Sequence, residues 1–134
     1  MAQNYYQKEI ETMSAEEMKK LQSEKLVKQV KHVYENVPYY RDLMDKKGVA
    51  PDDINGIEDL YKLPFLTKAD LRDNYPFGYF AVEKDKLVRI HASSGTTGKA
   101  TVVGYTRHDL EIWSECVARC LTMANISKDD ILQI

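Results

Sequence analysis

The sequence predicts an α/β chain, α+β as it stands, with a helical region over residues 1–86 and the start of a sheet region over 87–134. Three observations carry this. Ser14 and Glu17 form a capping box that opens a long run of helix-forming residues with apolar side chains at helical spacing. Two short strand-like runs, Leu87–Ala92 and Thr101–Tyr105, flank a loop of Ser, Thr, Gly and Lys. Thr106 and Asp109 then form another capping pair ahead of a second apolar helical stripe. The 134 residues, 43% hydrophobic and 30% charged, have the composition of a folded domain or a piece of one.

Each element follows in chain order. The first helix should run from Ser14 to Val37, because Leu26, Val30, Val33 and Val37 share one helical face and Pro38 disfavours helix at the residue before it. Lys19, Lys20, Lys25, Lys28 and Lys31 lie mostly elsewhere on that helix. Glu16, Glu17 and Glu24 interleave with them, so this is a solvated face rather than a nucleic-acid or membrane surface. A second helix is expected over Tyr39–Lys47, with Gly48 as its C-terminal cap. Pro51-Asp52-Asp53 and Asn55-Gly56 are turns, and Leu63-Pro64-Phe65-Leu66 is an extended link. Thr67, with Asp70 three residues on, caps a third short helix that stops before Pro76.

After Lys86 come the two strands of a hairpin, then a helix whose stripe of Leu110, Trp113, Val117, Leu121 and Ala124 places Trp113 in a core. Ile131–Ile134 reads as the beginning of a buried strand. A hairpin by itself is marginal, so the chain is expected to be cut from something longer and to leave the Leu110–Leu121 stripe and the last strand without partners. Association into a homo-oligomer is the expected consequence.

Charge and cysteine content narrow the function. Nineteen Lys and Arg oppose 21 Asp and Glu, which gives a net charge of -2 and no basic surplus for nucleic acid. No apolar run reaches the roughly 20 residues of a membrane span, and the N-terminus lacks a signal core, so the cytoplasm is the expected compartment. Cys116 and Cys120 lie four apart on a helix, in poor geometry for a disulfide and without a second ligand cluster, so the expectation is two buried thiols.

The loop Ser93-Ser94-Gly95-Thr96-Thr97-Gly98-Lys99 concentrates the chemistry. Its glycines let backbone approach a ligand closely, and successive N–H groups in such a turn form an anion-binding concavity. Ser93, Ser94, Thr96 and Thr97 add hydroxyl donors, and Lys99 adds a point charge. That set suits a polyphosphate better than one carboxylate. It is not a Walker A loop, because position 93 is Ser, position 100 is Ala, and a strand rather than a helix follows.

The exact string resembles the phosphate-binding loop of the adenylate-forming enzymes. Asn36-Val37-Pro38-Tyr39-Tyr40-Arg41, the segment Leu63–Arg72, and Arg89-Ile90-His91-Ala92 leading into the loop resemble the phenylacetate–coenzyme A ligase branch, over about Tyr6 to Ile134. The resemblance implies the first part of a large adenylate-forming domain and an aryl-acid–CoA ligase using ATP, Mg²⁺ and coenzyme A. It implies phosphate contact by Thr96, Thr97 and Lys99, with Gly95 and Gly98 for backbone shape and Ser93 and Ser94 as secondary contacts. It places the acid pocket and the catalytic lysine beyond Ile134. Ala100 departs from the family, which usually has proline there. Two readings stand beside this one: a ligase for another aryl acid such as benzoate or indole acetate, and a protein-interaction module built on the tyrosine-rich first half.

Overall fold

The computed structural model describes residues 4–93, 100–131 and 133. A single turn α1 (Lys8–Glu11) precedes the long helix α2 (Ala15–Asn36), α3 (Pro38–Lys47) and two 3₁₀ turns at Pro51–Asp53 and Ile57–Lys62. A short α4 (Lys68–Asp73) and a 3₁₀ turn at Lys84–Lys86 lead into strands β1 (Leu87–Ala92) and β2 (Val102–Thr106), and α5 (Arg107–Met123) follows.

The helix ends obey local chemistry. The Glu17 N–H donates to Ser14 Oγ at 3.2 Å, and the Ser14 N–H donates to Glu17 Oε2 at 3.0 Å, so two otherwise orphaned donors are satisfied at once. Pro38 forces Val37 into an extended conformation (φ -117°, ψ 94°), which stops α2 at Asn36, and Pro38 itself then starts α3, where its missing N–H costs nothing. Gly48 closes α3 at φ 70°, a left-handed conformation that glycine adopts without penalty, and the Val49 N–H turns back to the Met44 carbonyl at 3.0 Å.

The buried core lies in the helical half. Val30, Met44, Ile54 and Leu63 form it, with Leu26, Tyr34, Tyr40 and Val49 packed around them, and Val37 is buried at the α2–α3 junction. Polar clips hold the irregular links against the helices. Lys47 Nζ donates to the Leu63 carbonyl at 3.0 Å, the Tyr40 hydroxyl donates to the Pro64 carbonyl at 3.2 Å, and the Ile57 N–H donates to Ser23 Oγ at 3.2 Å. The lysine face of α2 is exposed, as its interleaved glutamates predict.

Asp70 joins α3 to α4. It accepts from the Thr67 hydroxyl and from the Tyr39 hydroxyl, each at 2.5 Å, while the Asp70 N–H returns to Thr67 Oγ1. Those side-chain bonds, Thr67 first and Tyr39 next, with the Thr67 N–H, hold its carboxyl down to about 2. A free Asp ionises near about 3.9, so this contribution to stability is complete above that pH and is lost as pH falls through about 2. Tyr39→Phe removes one donor and is expected to raise the Asp70 pKa and move the acid-unfolding limb to higher pH. Circular dichroism during acid titration reads this, and an unmoved limb would remove Tyr39 from the account.

β1 and β2 pair antiparallel with Ile90 opposite Gly104 and Ala92 opposite Val102, and the register slips between Leu87 and Arg89. Gly104 sits in a tight spot: a Cβ there would meet Phe80 Cζ at 2.9 Å and both Leu87 methyls at 3.0 Å, so those side-chain ends would have to shift. Gly104→Val is expected to cost about 1–3 kcal/mol through overpacking, measured as a lower urea midpoint.

Four expectations need correction. β2 begins at Val102 rather than Thr101, because the Thr101 N–H is taken by the Ser93 hydroxyl at 3.0 Å. Trp113 is 42% exposed rather than in a core, in line with the expectation that the Leu110–Leu121 stripe is left without partners. Cys116 and Cys120 are free and exposed instead of buried. Ile131 and Gln133 are not in a strand, and Ile131 is 99% exposed; Leu132 and Ile134 lie outside the described residues.

Candidate functional site

The hairpin positions the candidate loop. At its mouth the Ser93 N–H donates to the Thr101 carbonyl at 3.0 Å, and the Thr101 N–H donates to Ser93 Oγ at 3.0 Å. The two chain ends are therefore pinned side by side just past the last ladder pair, Ala92 and Val102. Of the predicted phosphate contacts, Ser93 is the one the structure describes. Its oxygen is engaged in holding the loop closed at the base. Ser94, Gly95, Thr96, Thr97, Gly98 and Lys99 lie outside the described residues.

Beneath the mouth, alternate residues of the two strands build one face. His91 stands edge-on to Tyr105 (5.1 Å between centroids) and to Trp113 (5.6 Å), and Tyr105 and Trp113 stack with planes 22° apart at 5.4 Å. Such pairs contribute roughly 0.5–1.5 kcal/mol each beyond area burial, so this trio ties β1, β2 and α5 together. Arg89, Leu110, Trp113, Ser114 and Val117 line a shallow cavity of about 470 Å³ beside it. The sequence contains the signal for this trio, since positions 89 and 91 and positions 103 and 105 alternate. The register sets His91 opposite Val103 and Tyr105 opposite Arg89, so the two rings meet diagonally, which only the pairing of the strands determines.

A cleft of about 550 Å³ runs between the hairpin, the start of α5 and the helical half, with His32, Tyr79, Phe80, Thr101, Val102 and His108 among its walls. Burial pushes the Tyr79 phenol up to about 12, and its hydroxyl is buried with no hydrogen-bond partner among the described residues. At the foot of β2, the Thr106 hydroxyl and N–H hold the Asp109 carboxyl below the usual range, which makes Asp109 a helix cap rather than an acid or base. The described residues contain no group of three metal-ligating side chains. What they supply is a rigid two-stranded stem with a bonded mouth.

No protein-family model matches the chain. Curated relatives do. It is 55% identical over 119 residues to the phenylacetate-coenzyme A ligase of Thermus thermophilus, covering 89% of this chain and 27% of that protein. It is 53% identical over 125 residues to the Aromatoleum evansii enzyme of the same name and 54% identical to that of Escherichia coli, each over 93% of this chain. Among solved structures, 2-hydroxyisobutyryl-CoA ligase in complex with 2-HIB-AMP and CoA matches with a TM-score of 0.76 at 30% identity, over 83% of this chain and 24% of that one. The same ligase in its postadenylation state with 2-HIB-AMP matches with a TM-score of 0.73 at 28% identity. The fold is thus that of part of an adenylate-forming CoA ligase, and the chain spans 27 to 29% of the length of the first three relatives named. Over nearly all of its residues this chain is a homologue of the phenylacetate–coenzyme A ligases.

Proposed function

We propose that the chain is the N-terminal part of an aryl-acid–coenzyme A ligase acting on phenylacetate. In this reading residues 1–86 form a helical region and 87–134 the start of the nucleotide-binding sheet region. The observation that carries it is the 53 to 55% identity to three phenylacetate-coenzyme A ligases over about nine-tenths of the chain. The reaction has two steps. A carboxylate oxygen of the acid attacks the α-phosphorus of ATP and pyrophosphate leaves; the coenzyme A thiolate then attacks the acyl carbon and AMP leaves. The loop 93–99 serves the first step. Thr96, Thr97 and Lys99 hold the β- and γ-phosphates, Gly95 and Gly98 bring the backbone close, Ser94 is a secondary donor, and Ser93 closes the base. Mg²⁺ accompanies the phosphates and neutralises part of their charge. Ala100 leaves all of these donors in place. Among the described residues no helix is long and apolar enough to cross a membrane. A cytoplasmic homo-oligomer completes the proposal.

The test uses the full-length protein with ATP, Mg²⁺, coenzyme A and a panel of aryl acids. AMP and phenylacetyl-CoA are expected in equal amounts, with phenylacetate preferred over benzoate and indole acetate. The 134-residue chain alone is expected to release no AMP above the blank, since it spans little more than a quarter of its relatives. Preference for another acid would change the substrate and leave the role of the loop standing. Absence of AMP with every acid would overturn the ligase reading.

A further inference from the structure

Cys116 and Cys120 lie in the second half of α5, both free and both exposed. Residues four apart on a helix stand one above the other, with Cβ atoms about 5–6 Å apart. A disulfide needs Cβ atoms about 3.5–4.5 Å apart, so this pair does not close on itself while the helix is intact. A shared thiophilic atom is different. Two bonds of about 2.3 Å to one centre let the sulfurs sit roughly 4 Å apart, a span that the two side chains reach without unwinding the helix. Zinc is a poor fit, because it takes four ligands and the described residues offer no third His, Cys, Asp or Glu with the pair. A soft centre satisfied by two thiolates matches what α5 presents.

We propose that Cys116 and Cys120 form a two-thiolate site for a soft thiophilic centre, of which trivalent arsenic is the representative. The reaction is a condensation without redox change. An aryl arsonous acid carries two As–OH groups; each is replaced by an As–S bond to one cysteine, and the two thiol protons leave with the two hydroxyls as two waters. Capture of the second thiol is intramolecular, so the pair should bind about 10²–10⁴ times more tightly than either thiol alone. The site is independent of the ligase reading, since none of its atoms belongs to the candidate loop.

Trp113 is the sole tryptophan and lies one helical turn before Cys116, so its fluorescence reports on the site. The full chain is titrated with phenylarsonous acid, followed by that fluorescence and by intact mass. The expected result is one arsenical per chain, a mass corresponding to loss of two waters, and both thiols protected from maleimide. Helical circular dichroism should be unchanged, and release should require a dithiol rather than an equal thiol concentration of a monothiol. Cys116→Ser and Cys120→Ser are each expected to weaken binding at least roughly 100-fold. Equal affinity in either variant would overturn the proposal, as would one arsenical on each cysteine, loss of helix on binding, or a Cys116–Cys120 disulfide in the untreated chain. Protection of both thiols is measured on the unsubstituted chain, so the proposal is tested even if a variant does not fold.

Discussion

Lys99→Ala in the full-length protein is expected to slow adenylate formation by roughly 30- to 1,000-fold, a loss of about 2–4 kcal/mol of transition-state stabilisation. The reason is where charge builds. As the carboxylate attacks the α-phosphorus, negative charge accumulates on the departing pyrophosphate, and a cation already placed beside it stabilises the transition state more than the ground state. Thioester formation from isolated acyl-adenylate involves no pyrophosphate and should keep its rate. Single-turnover measurement of each half-reaction separates the two. An unchanged adenylation rate would remove Lys99 from the phosphate contacts. A raised KM for ATP with an unchanged kcat would reduce its role to ground-state binding.

What could be read from the sequence was local. Ser14, Thr67 and Thr106 each cap a helix as expected, because a cap needs only a hydroxyl and a residue three positions on. Pro38 and Gly48 are equally local: Pro38 restricts the backbone of Val37 just before it, and Gly48 acts through its own φ. The hairpin was legible in its strands, but the start of β2 moved by one residue when the Ser93 hydroxyl took the Thr101 N–H, a bond between residues eight apart that no propensity encodes. The stripe on α5 shows the limit of periodicity. Spacing says which side of a helix is apolar and not whether anything covers it: Trp113 and Val117 are 42% and 44% exposed, as expected for a stripe left without its partners. Cys116 and Cys120 were misplaced for a different reason: free thiols are usually buried, and nothing local in the sequence shows that these two face outward. Of the candidate site, the residue types were fully legible. The aromatic trio under the loop was not, since it depends on the register between strands and on the seat of α5.

Met44→Ala is expected to produce the largest loss of stability of any single substitution in the helical half. Met44 is 0% exposed and packs with Val30, Ile54 and Leu63, which α2, the Pro51–Asp53 turn and the link after Ile57–Lys62 bring together. Truncating it removes the transfer energy of the side chain and leaves a cavity, about 2–5 kcal/mol together. Domains are stable by only about 5–15 kcal/mol, so the middle of this range is about a third of a typical total. The effect is concentrated because the buried apolar side chains among the described residues are Val30, Val37, Met44, Ile54 and Leu63, all before the hairpin. Met44→Leu keeps most of the volume and should cost less than about 1.5 kcal/mol. Trp113→Ala, at a half-exposed site, should cost less than Met44→Ala and lower the protection of β1 and β2 amides while leaving α2 and α3 protected. Urea denaturation with hydrogen exchange on the three variants reads both quantities. Equal losses from Met44→Ala and Trp113→Ala, with protection falling everywhere together, would show that the hairpin and the helical half share one core.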